Sequence, residues 1–246
     1  MLSPELTEDM LLGGRVRLRQ PRVGLRAGHD AVLLAAAVPA RPGERVLELG
    51  CGSGAAFLCL AARVPDLTIV AVEREPALAA LARDNAERAG LGDRVTVVEG
   101  DIADPVLRRA LPRCAHGFAN PPFWAAGTAP PAALRAAATH ADATPLDAWA
   151  RCLAGTVGHL GTATLILPAS RFADGFAALL GAGCGSPALM PLWPRAGGAA
   201  KRALLAARRG GKGPARILPG LPLHDGTAPS AAAEAILRDG AALEIW

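Results

Sequence analysis

The order of apolar and polar positions predicts strands that alternate with helices along most of the chain. Short apolar runs are typical of buried strands, and the stretches between them carry apolar residues at helical spacing. Strands joined through helices usually pair in parallel, so the pattern indicates an α/β fold with a largely parallel sheet. The predicted strands are residues 14–19, 45–49, 67–72, 94–98, 116–119, 162–167, 187–193 and 202–209, with a strand-like end at 241–245. The predicted helices are residues 31–38, 55–61, 76–89, 145–159 and 171–180.

A glycine-rich turn, Gly-Cys-Gly-Ser-Gly at 50–54, joins strand 45–49 to the helix that follows it. Glycines let a ligand approach the backbone closely, and a helix N-terminus presents free N–H groups. Glu48 lies two residues before the first glycine, where the amino group of a bound methionine would need a carboxylate. The turn therefore indicates a nucleotide-like ligand that carries a positive charge.

Polar residues also follow the next strands. Glu73 ends strand 67–72, where a carboxylate can accept hydrogen bonds from both ribose hydroxyls of a nucleoside. Asp101 follows strand 94–98, where it could accept from an adenine amine. Ligands of parallel sheets bind at the carboxyl ends of the strands, so we expect these side chains and the glycine turn to share one site.

The strand that ends at Ala119 runs into Asn120-Pro121-Pro122-Phe123. Two prolines cannot continue a strand or a helix, so the chain must turn there. The Asn120 carboxamide and the Pro121 carbonyl can accept both N–H bonds of an exocyclic amine, and Phe123 can stack on its ring. The same residues also suit an ordinary strand-ending turn.

The glycine turn alone leaves two cofactors open. Gly50, Gly52 and Gly54 followed by Ala55 also meet the looser dinucleotide pattern, so an NAD-dependent enzyme is an alternative. That alternative gives no reason for the residues 120–123. S-adenosylmethionine accounts for Glu48, Asp101 and the Asn-Pro-Pro-Phe turn together.

These motifs carry a family resemblance. Residues 48–54 (Glu-Leu-Gly-Cys-Gly-Ser-Gly), Glu73, Asp101 and the Asn-Pro-Pro-Phe turn resemble the class I S-adenosylmethionine-dependent amino methyltransferases. Residues 24–34 and 221–226 resemble more narrowly the bacterial tRNA(Val) adenine-N(6)-methyltransferase family, which modifies the adenine beside the anticodon.

The resemblance implies a Rossmann-like fold with a mostly parallel seven-stranded sheet and helices on both faces. It also implies an N-terminal strand–helix extension, residues 1–40, packed on a methyltransferase domain, residues 41–246. The implied cofactor is S-adenosylmethionine without a metal, and the implied substrate is adenine N6 in tRNA. That family usually has Tyr where Phe123 stands, whereas Phe at this place resembles the guanine-N(2) methyltransferases of ribosomal RNA, which are therefore an alternative. A glutamine methyltransferase acting on protein shares the Asn-Pro-Pro turn and is a further alternative.

The resemblance also assigns roles to residues. It implies that Asn120, Pro121 and Phe123 are catalytic. From their positions, Pro122, Trp124 and His140 are expected to contact the substrate, although Trp124 could instead pack under the loop and His140 could simply be solvated. Asp30 either caps the helix that follows it or reaches the methionine end of the cofactor, and the role of His29 is open. The implied cofactor-binding residues are Asp30, Glu48, Gly50, Gly52, Gly54, Glu73, Asp101, Ile102 and Asn120.

Charge adds RNA to the expected partners. Residues 15–26 contain five arginines and residues 195–216 contain seven basic residues, with no acidic residue in either segment. Two such segments are typical of a polyanion binder. The expected RNA contacts are Arg15, Arg17, Arg195, Lys201, Arg202, Arg208 and Arg209.

Composition excludes several other classes. A hydrophobic content of 51% with 20% charged residues is typical of a globular protein. The five cysteines form no CxxC pair, so neither a disulfide framework nor a zinc site is expected. We also expect no signal peptide, no membrane span and a cytoplasmic location. Either a monomer or a homodimer is compatible with the sequence.

Overall fold

The computed structural model of the protein describes residues 5–23, 26–122 and 144–246. The described strands are β1 (Leu6–Leu11), β2 (Val16–Pro21), β3 (Arg45–Leu49), β4 (Thr68–Glu73), β5 (Val95–Glu99), β6 (Cys114–Ala119), β7 (Val157–Pro168), β8 (Cys184–Arg195), β9 (Arg202–Arg209), β10 (Arg216–Ile217), β11 (Leu221–Asp225) and β12 (Ala228–Pro229). The described helices are α1 (His29–Ala37), α2 (Ala55–Arg63), α3 (Pro76–Arg88), α4 (Pro105–Ala110), α5 (Leu146–Thr156), α6 (Phe172–Gly181) and α7 (Ala231–Leu237).

The main sheet has the order β12-β11-β8-β9-β7-β6-β3-β4-β5, with β10 paired to β8. Strands β3 to β7 pair in parallel, and β9 is antiparallel to both of its neighbours, β7 and β8. The predicted α/β fold with a mostly parallel sheet is confirmed. The sheet of the described residues has ten strands rather than the predicted seven, because segment 216–229 adds three short strands beside β8.

Helices cover both faces of the sheet because side chains of a strand alternate between its faces. Val46 of β3 belongs to one apolar cluster, which α1, α2 and α3 cover. Leu47 and Leu49 belong to the other, which α5 and α6 cover. Glu48 therefore lies on the α2 side of the sheet, within an otherwise apolar strand.

The hairpin β1–β2 packs on the core through the buried side chains of Val16 and Leu18, and one buried amide also fixes it. Asn85 of α3 accepts from the Arg19 backbone N–H at 3.0 Å and donates to the carbonyls of Arg19 and Ser53. Helix α1 packs on α2, and its Ala36 carbonyl accepts from the Leu243 N–H at 2.8 Å. The division into residues 1–40 and 41–246 stays a prediction.

Several elements differ from the expectation. The predicted helix 145–159 ends at Thr156, because the chain continues directly into β7 and Val157 pairs with Cys114 of β6. Residues 241–245 bury Leu243 and Ile245 in the predicted alternation, but they form no strand, because that segment lies against α1 rather than beside a strand. Strand β1 and the short helices α4 and α7 were not predicted. The caps of α4 and α7 could have indicated them, since Asp104 and Ser230 accept N–H bonds from their first turns.

Within the described ranges, no helix is long and apolar enough to cross a membrane.

Candidate active site

Strand register brings three predicted site segments side by side. Leu49 pairs with Val72 of β4 on one side and with Ala119 of β6 on the other. The residues that follow, Gly50, Glu73 and Asn120, therefore form a row across adjacent strands about 5 Å apart. We call this end of the sheet, where the parallel strands finish, the carboxyl edge, and the opposite end the amino edge.

The three glycines of the turn serve different purposes, although all three have positive φ angles, of 64°, 56° and 94°. A Cβ on Gly50 would lie 2.6 Å from the Trp149 ring, and one on Gly54 would lie 2.4 Å from the Phe57 ring. A Cβ on Gly52 would meet no atom within 4 Å. Gly50 and Gly54 are thus packed against protein, and Gly52 is the glycine that faces open space where a ligand can bind.

Glu73 holds the turn in place. Its Oε2 accepts from the Gly52 backbone N–H at 2.8 Å, and its Oε1 accepts from the Glu75 N–H at 2.9 Å. Each carboxylate oxygen has two lone pairs, so both retain capacity for a ribose hydroxyl. The same side chain can therefore fix the loop and bind a nucleoside.

Glu48 is a buried carboxylate whose Oε2 has no hydrogen-bond partner among the described residues. Burial raises the pKa of Glu48 well above its ordinary value of 4.5; the backbone N–H of Phe57 opposes this and the charge of Glu73 adds to it. An unpartnered buried carboxylate oxygen is costly, because no hydrogen bond replaces the water that it has lost. A cationic ligand at this position would remove that cost.

Two buried thiols, those of Cys51 and Cys59, lie in the same environment as Glu48. Burial and then the charge of Glu48 raise the pKa of Cys59 to about 12 and that of Cys51 well above its usual range. These cysteines are consequently thiols near neutral pH, and they offer no thiolate to metal or substrate.

Asp101 and Ile102 follow β5 at the same edge. The Asp101 Oδ1 accepts from the Ala103 N–H at 2.8 Å, which shapes the turn into α4. The Ile102 side chain is buried in the cluster under α5, so only its backbone is left to contact a ligand.

The Asn-Pro-Pro turn is described up to its third residue. Asn120 is half-buried, Pro121 is buried and Pro122 is exposed. The predicted site residues Phe123, Trp124 and His140 lie outside the described residues.

Asp30 is not a helix cap, contrary to one of its two predicted roles. Gly28 occupies the N-cap of α1, and Asp30 lies in the first turn with its Oδ2 accepting from Arg202 Nε at 2.8 Å. Arg202 begins β9 opposite Pro168, the last residue of β7, so this ion pair lies at the carboxyl edge. His29 begins α1 and is exposed.

Arg195 and Lys201 flank the turn between β8 and β9 at the same edge. Both are exposed, and Arg195 Nε donates to the Gly226 carbonyl at 2.8 Å. With Arg202, the structure brings three of the predicted RNA contacts to the edge that carries Asn120.

Arg208 and Arg209 do not lie at this edge. They end β9, and Arg208 pairs with Thr162 of β7, which in turn pairs with His116 near the start of β6, so both arginines lie toward the amino edge. Arg209 Nη1 donates to the carbonyls of Ala154, Gly155 and Val157 at the end of α5, so it stabilises the helix C-terminus.

The N-terminal basic segment is largely neutralised, which corrects the picture of an unpaired basic run. Arg19, Arg22 and Arg26 form ion pairs with Asp84, Glu5 and Asp9. Arg15 donates to the carbonyls of Leu12 and Arg238, and Arg17 is exposed on β2. The acids are not in the basic segment itself, because two of its three partners come from the neighbouring strand: Asp9 belongs to β1, and Glu5 directly precedes it.

Trp149 is a site residue that the sequence reasoning missed. It lies on α5, is buried, contacts Gly50 from the face opposite Glu48, and has an indole N–H without a partner. A tryptophan on an apolar helix face usually indicates core packing, so no sequence signal pointed to the glycine turn.

The described ranges contain no group of three or more His, Cys, Asp or Glu residues that could hold a metal ion. Their donors fit an organic cation with a nucleoside better. The fit rests on the open space at Gly52, the carboxylate of Glu73 and the unpartnered oxygen of Glu48.

Comparisons with known proteins agree with this geometry. A family model described as "Methyltransferase domain" matches residues 46–116. The chain is 31% identical over 192 residues to a protein of Dickeya chrysanthemi named tRNA1(Val) (adenine(37)-N6)-methyltransferase, covering 78% of this chain and 76% of that one. A protein of the same name from Porphyromonas gingivalis is 30% identical, and the match covers 68% of each chain.

Solved structures show the same fold. A protein of Agrobacterium tumefaciens described as a predicted O-methyltransferase superposes with a TM-score of 0.71 at 26% identity, covering 87% of this chain and 98% of that chain. An S-adenosylmethionine-dependent O-methyltransferase of Thermotoga maritima superposes with a TM-score of 0.57 at 16% identity, covering 78% of this chain and 69% of that chain.

Proposed function

Because this chain belongs to the family of tRNA1(Val) (adenine(37)-N6)-methyltransferases, as its motifs predicted, we propose that it methylates N6 of an adenine in tRNA with S-adenosylmethionine. One observation carries the proposal for this chain. The register of β3, β4 and β6 aligns Gly50 with Asn120 and Glu73 on adjacent strands, so a cofactor on the glycine turn would lie beside the Asn-Pro-Pro turn.

The cofactor supplies a methyl group on a sulfonium centre, which is open to attack by a nitrogen lone pair. Glu48 would hold its ammonium group, and Glu73 its ribose hydroxyls. Gly52 would leave room for it, and Asp101 and the Ile102 backbone would meet its adenine. Trp149 supports the turn by packing against Gly50.

Asn120 and Pro121 would position the acceptor. The lone pair of an exocyclic amine is delocalised into the ring, which makes the nitrogen a poor nucleophile. When the Asn120 side-chain oxygen and the Pro121 carbonyl accept its two N–H bonds, the nitrogen becomes more pyramidal and its lone pair points away from them. This is catalysis by orientation and electrostatic stabilisation, with no strong base. The base must leave its stack to reach this site, and Phe123 would stack on it there.

Charge at the carboxyl edge supports an RNA substrate. Arg195, Lys201 and Arg202 would lie beside the phosphates that flank the flipped base. With tRNA as substrate, we place the reaction in the cytoplasm.

The test is methyl transfer from labelled S-adenosylmethionine to unmodified tRNA, ribosomal RNA and protein extract, with products digested and identified by mass spectrometry. N(6)-methyladenosine from tRNA supports the proposal. N(2)-methylguanosine from ribosomal RNA would keep the chemistry and reassign the substrate, for which Phe123 is the sequence signal. Label in protein alone would contradict an RNA substrate.

A further inference from the structure

A second basic site lies at the amino edge, away from the glycine turn. Residues of β9, of the following turn and of β10, together with Trp246, line an open surface cavity of about 410 Å³. Its lining contains three cationic side chains, Arg208, Lys212 and Arg216, and no aspartate or glutamate. A volume of this size accommodates a nucleotide-sized group.

The Trp246 ring organises two of the cations. The Arg208 guanidinium lies 4.5 Å from the ring centroid and that of Arg216 lies 5.3 Å away. Arg216 also donates to the Ile245 carbonyl. Cation–π contacts of this kind hold guanidinium groups without neutralising them, so both retain their positive charge for a ligand.

The turn that carries Lys212 is fixed by its own contacts. The Ser186 Oγ accepts from the Gly213 N–H at 2.7 Å, and the backbones of Gly185 and Gly211 approach so closely that neither could carry a side chain without a shift. Lys212 itself is exposed, and none of the ion pairs in the described residues involves it. The turn therefore presents a free ammonium group at a fixed position.

The second site is remote from the chemistry. Arg202 and Arg208 lie six residues apart on β9, and at about 3.3 Å per residue the distance between them is about 20 Å. Among the ion pairs of the described residues, none involves Arg208, Lys212 or Arg216, in contrast with the N-terminal arginines. Three unneutralised cations beside an aromatic ring match phosphate groups of a nucleic acid.

We propose that the cavity of Arg208, Lys212, Arg216 and Trp246 binds phosphates of the substrate RNA at nucleotides distant from the base that is methylated. This inference rests on the proposed RNA substrate and adds a second contact region to it. The RNA would then span the sheet from the carboxyl edge to the amino edge, so the protein would recognise a folded RNA and not only the loop that contains the base.

Charge reversal tests the site. Lys212→Glu should raise KM for full-length tRNA by about threefold to tenfold and leave kcat unchanged. It should also reduce the slope of the logarithm of the RNA-binding constant against the logarithm of salt concentration by about one. Arg109→Glu is the matched control. Arg109 is exposed on α4, which follows β5, and β5 lies at the side of the sheet opposite to β8 and β10. The same loss of affinity in both variants, or none in Lys212→Glu, would overturn the proposal.

Crosslinking locates the contact independently of catalysis. All five native cysteines are buried, so Lys212→Cys introduces the exposed thiol to which a photocrosslinker can be attached. We expect crosslinks from residue 212 to nucleotides outside the loop that carries the methylated base, and none from Arg109→Cys. Crosslinks confined to that loop would overturn the proposal.

The same assays separate the two hypotheses. If tRNA crosslinks to residue 212 and yet accepts no methyl group, the proposed reaction fails and the RNA site stands. If tRNA is methylated with unchanged KM in Lys212→Glu, the second site fails and the reaction stands. Saturable binding of ADP that Lys212→Glu abolishes, with RNA binding unchanged, would assign the cavity to a free nucleotide and also overturn the proposal.

Discussion

Replacing Glu48 by glutamine should weaken cofactor binding and stabilise the free protein. The substitution keeps the size and one side-chain oxygen but removes the charge from a carboxyl group that is 3% exposed. Because the Oε2 has no partner, the free protein carries the cost of this buried group, and the cofactor's ammonium group would be its partner. Stability and binding should therefore change in opposite directions.

The loss of affinity follows from one charged contact. A hydrogen bond to a charged group contributes about 1.5–3 kcal/mol. At 1.4 kcal/mol per factor of ten, Glu48→Gln should raise the Kd for S-adenosylmethionine roughly tenfold to a hundredfold.

The pH dependence of stability follows from the raised pKa of Glu48. In the unfolded chain this carboxyl loses its proton near pH 4.5, whereas in the folded protein it keeps the proton to higher pH. The stabilisation that the Glu48 carboxyl contributes is fully present below pH 4.5. It is lost as the pH rises toward the folded pKa, and the free energy of unfolding then falls by at most about 1.4 kcal/mol per pH unit. Glu48→Gln has no such loss, so its Tm should exceed that of the wild type increasingly from pH 5 to 7.5.

Calorimetric titration with S-adenosylmethionine and thermal unfolding, both from pH 5 to 7.5, measure these effects. Wild-type affinity should increase with pH, because a proton must leave Glu48 before the ammonium group binds, and the affinity of Glu48→Gln should not. Glu87→Gln, at an exposed position of α3, is the control. An unchanged Kd in Glu48→Gln, or a Tm that falls below that of the wild type at every pH, would refute the reasoning.

Four further substitutions test other predicted residues. Asn120→Ala should lower kcat on the order of a hundredfold with little change in cofactor Kd, and near-normal turnover would exclude the proposed role of its carboxamide. Gly50→Ala should lower the free energy of unfolding by about 1–3 kcal/mol and by more than Gly52→Ala, since both positions have a positive φ but only the Cβ at Gly50 would lie 2.6 Å from Trp149, whereas Gly52→Ala should weaken cofactor binding as well. Thermal unfolding and cofactor titration of both variants distinguish these roles, and equal stability losses would contradict them. Arg209→Met should destabilise the end of α5 by about 1–2 kcal/mol, because it removes the hydrogen bonds to the helix carbonyls. It should leave the salt dependence of RNA binding unchanged. A flattened salt dependence with unchanged stability would instead support the predicted RNA contact of Arg209.

Apolar periodicity was sufficient to predict the seven central strands, because each is a short apolar run bounded by glycine, proline or charged residues. The same information placed Gly50, Glu73 and Asn120 at one edge, since parallel strands must end together. It did not predict that Leu49 pairs directly with Ala119. That register depends on which strands are neighbours in the sheet, and strand order is a property of the whole fold.

The contact between Trp149 and Gly50 was beyond sequence reasoning for the same reason. About a hundred residues separate the two, and neither residue type indicates the other. The three glycines also look alike in sequence, although Gly50 and Gly54 are set against aromatic rings and Gly52 faces open space. Only the packing around each backbone position distinguishes a glycine required by the fold from one required by a ligand.

The two basic segments show how far charge alone can predict a partner. Both lack acids in sequence, yet Arg19, Arg22 and Arg26 are neutralised by carboxylates of α3 and of the N-terminal hairpin. In the second segment, Arg202 is the residue with a carboxylate partner among the described ion pairs. Arg208 and Arg216 lie against the Trp246 ring instead, and Arg209 against backbone carbonyls, none of which cancels their charge.

The attraction of a polyanion depends on the net electric field of a surface rather than on its number of arginines, so we assign the RNA surface to the second segment. Its cations are divided between the carboxyl and amino edges because β9 runs from one edge to the other, so an RNA that binds at both proposed regions must be large enough to span the sheet.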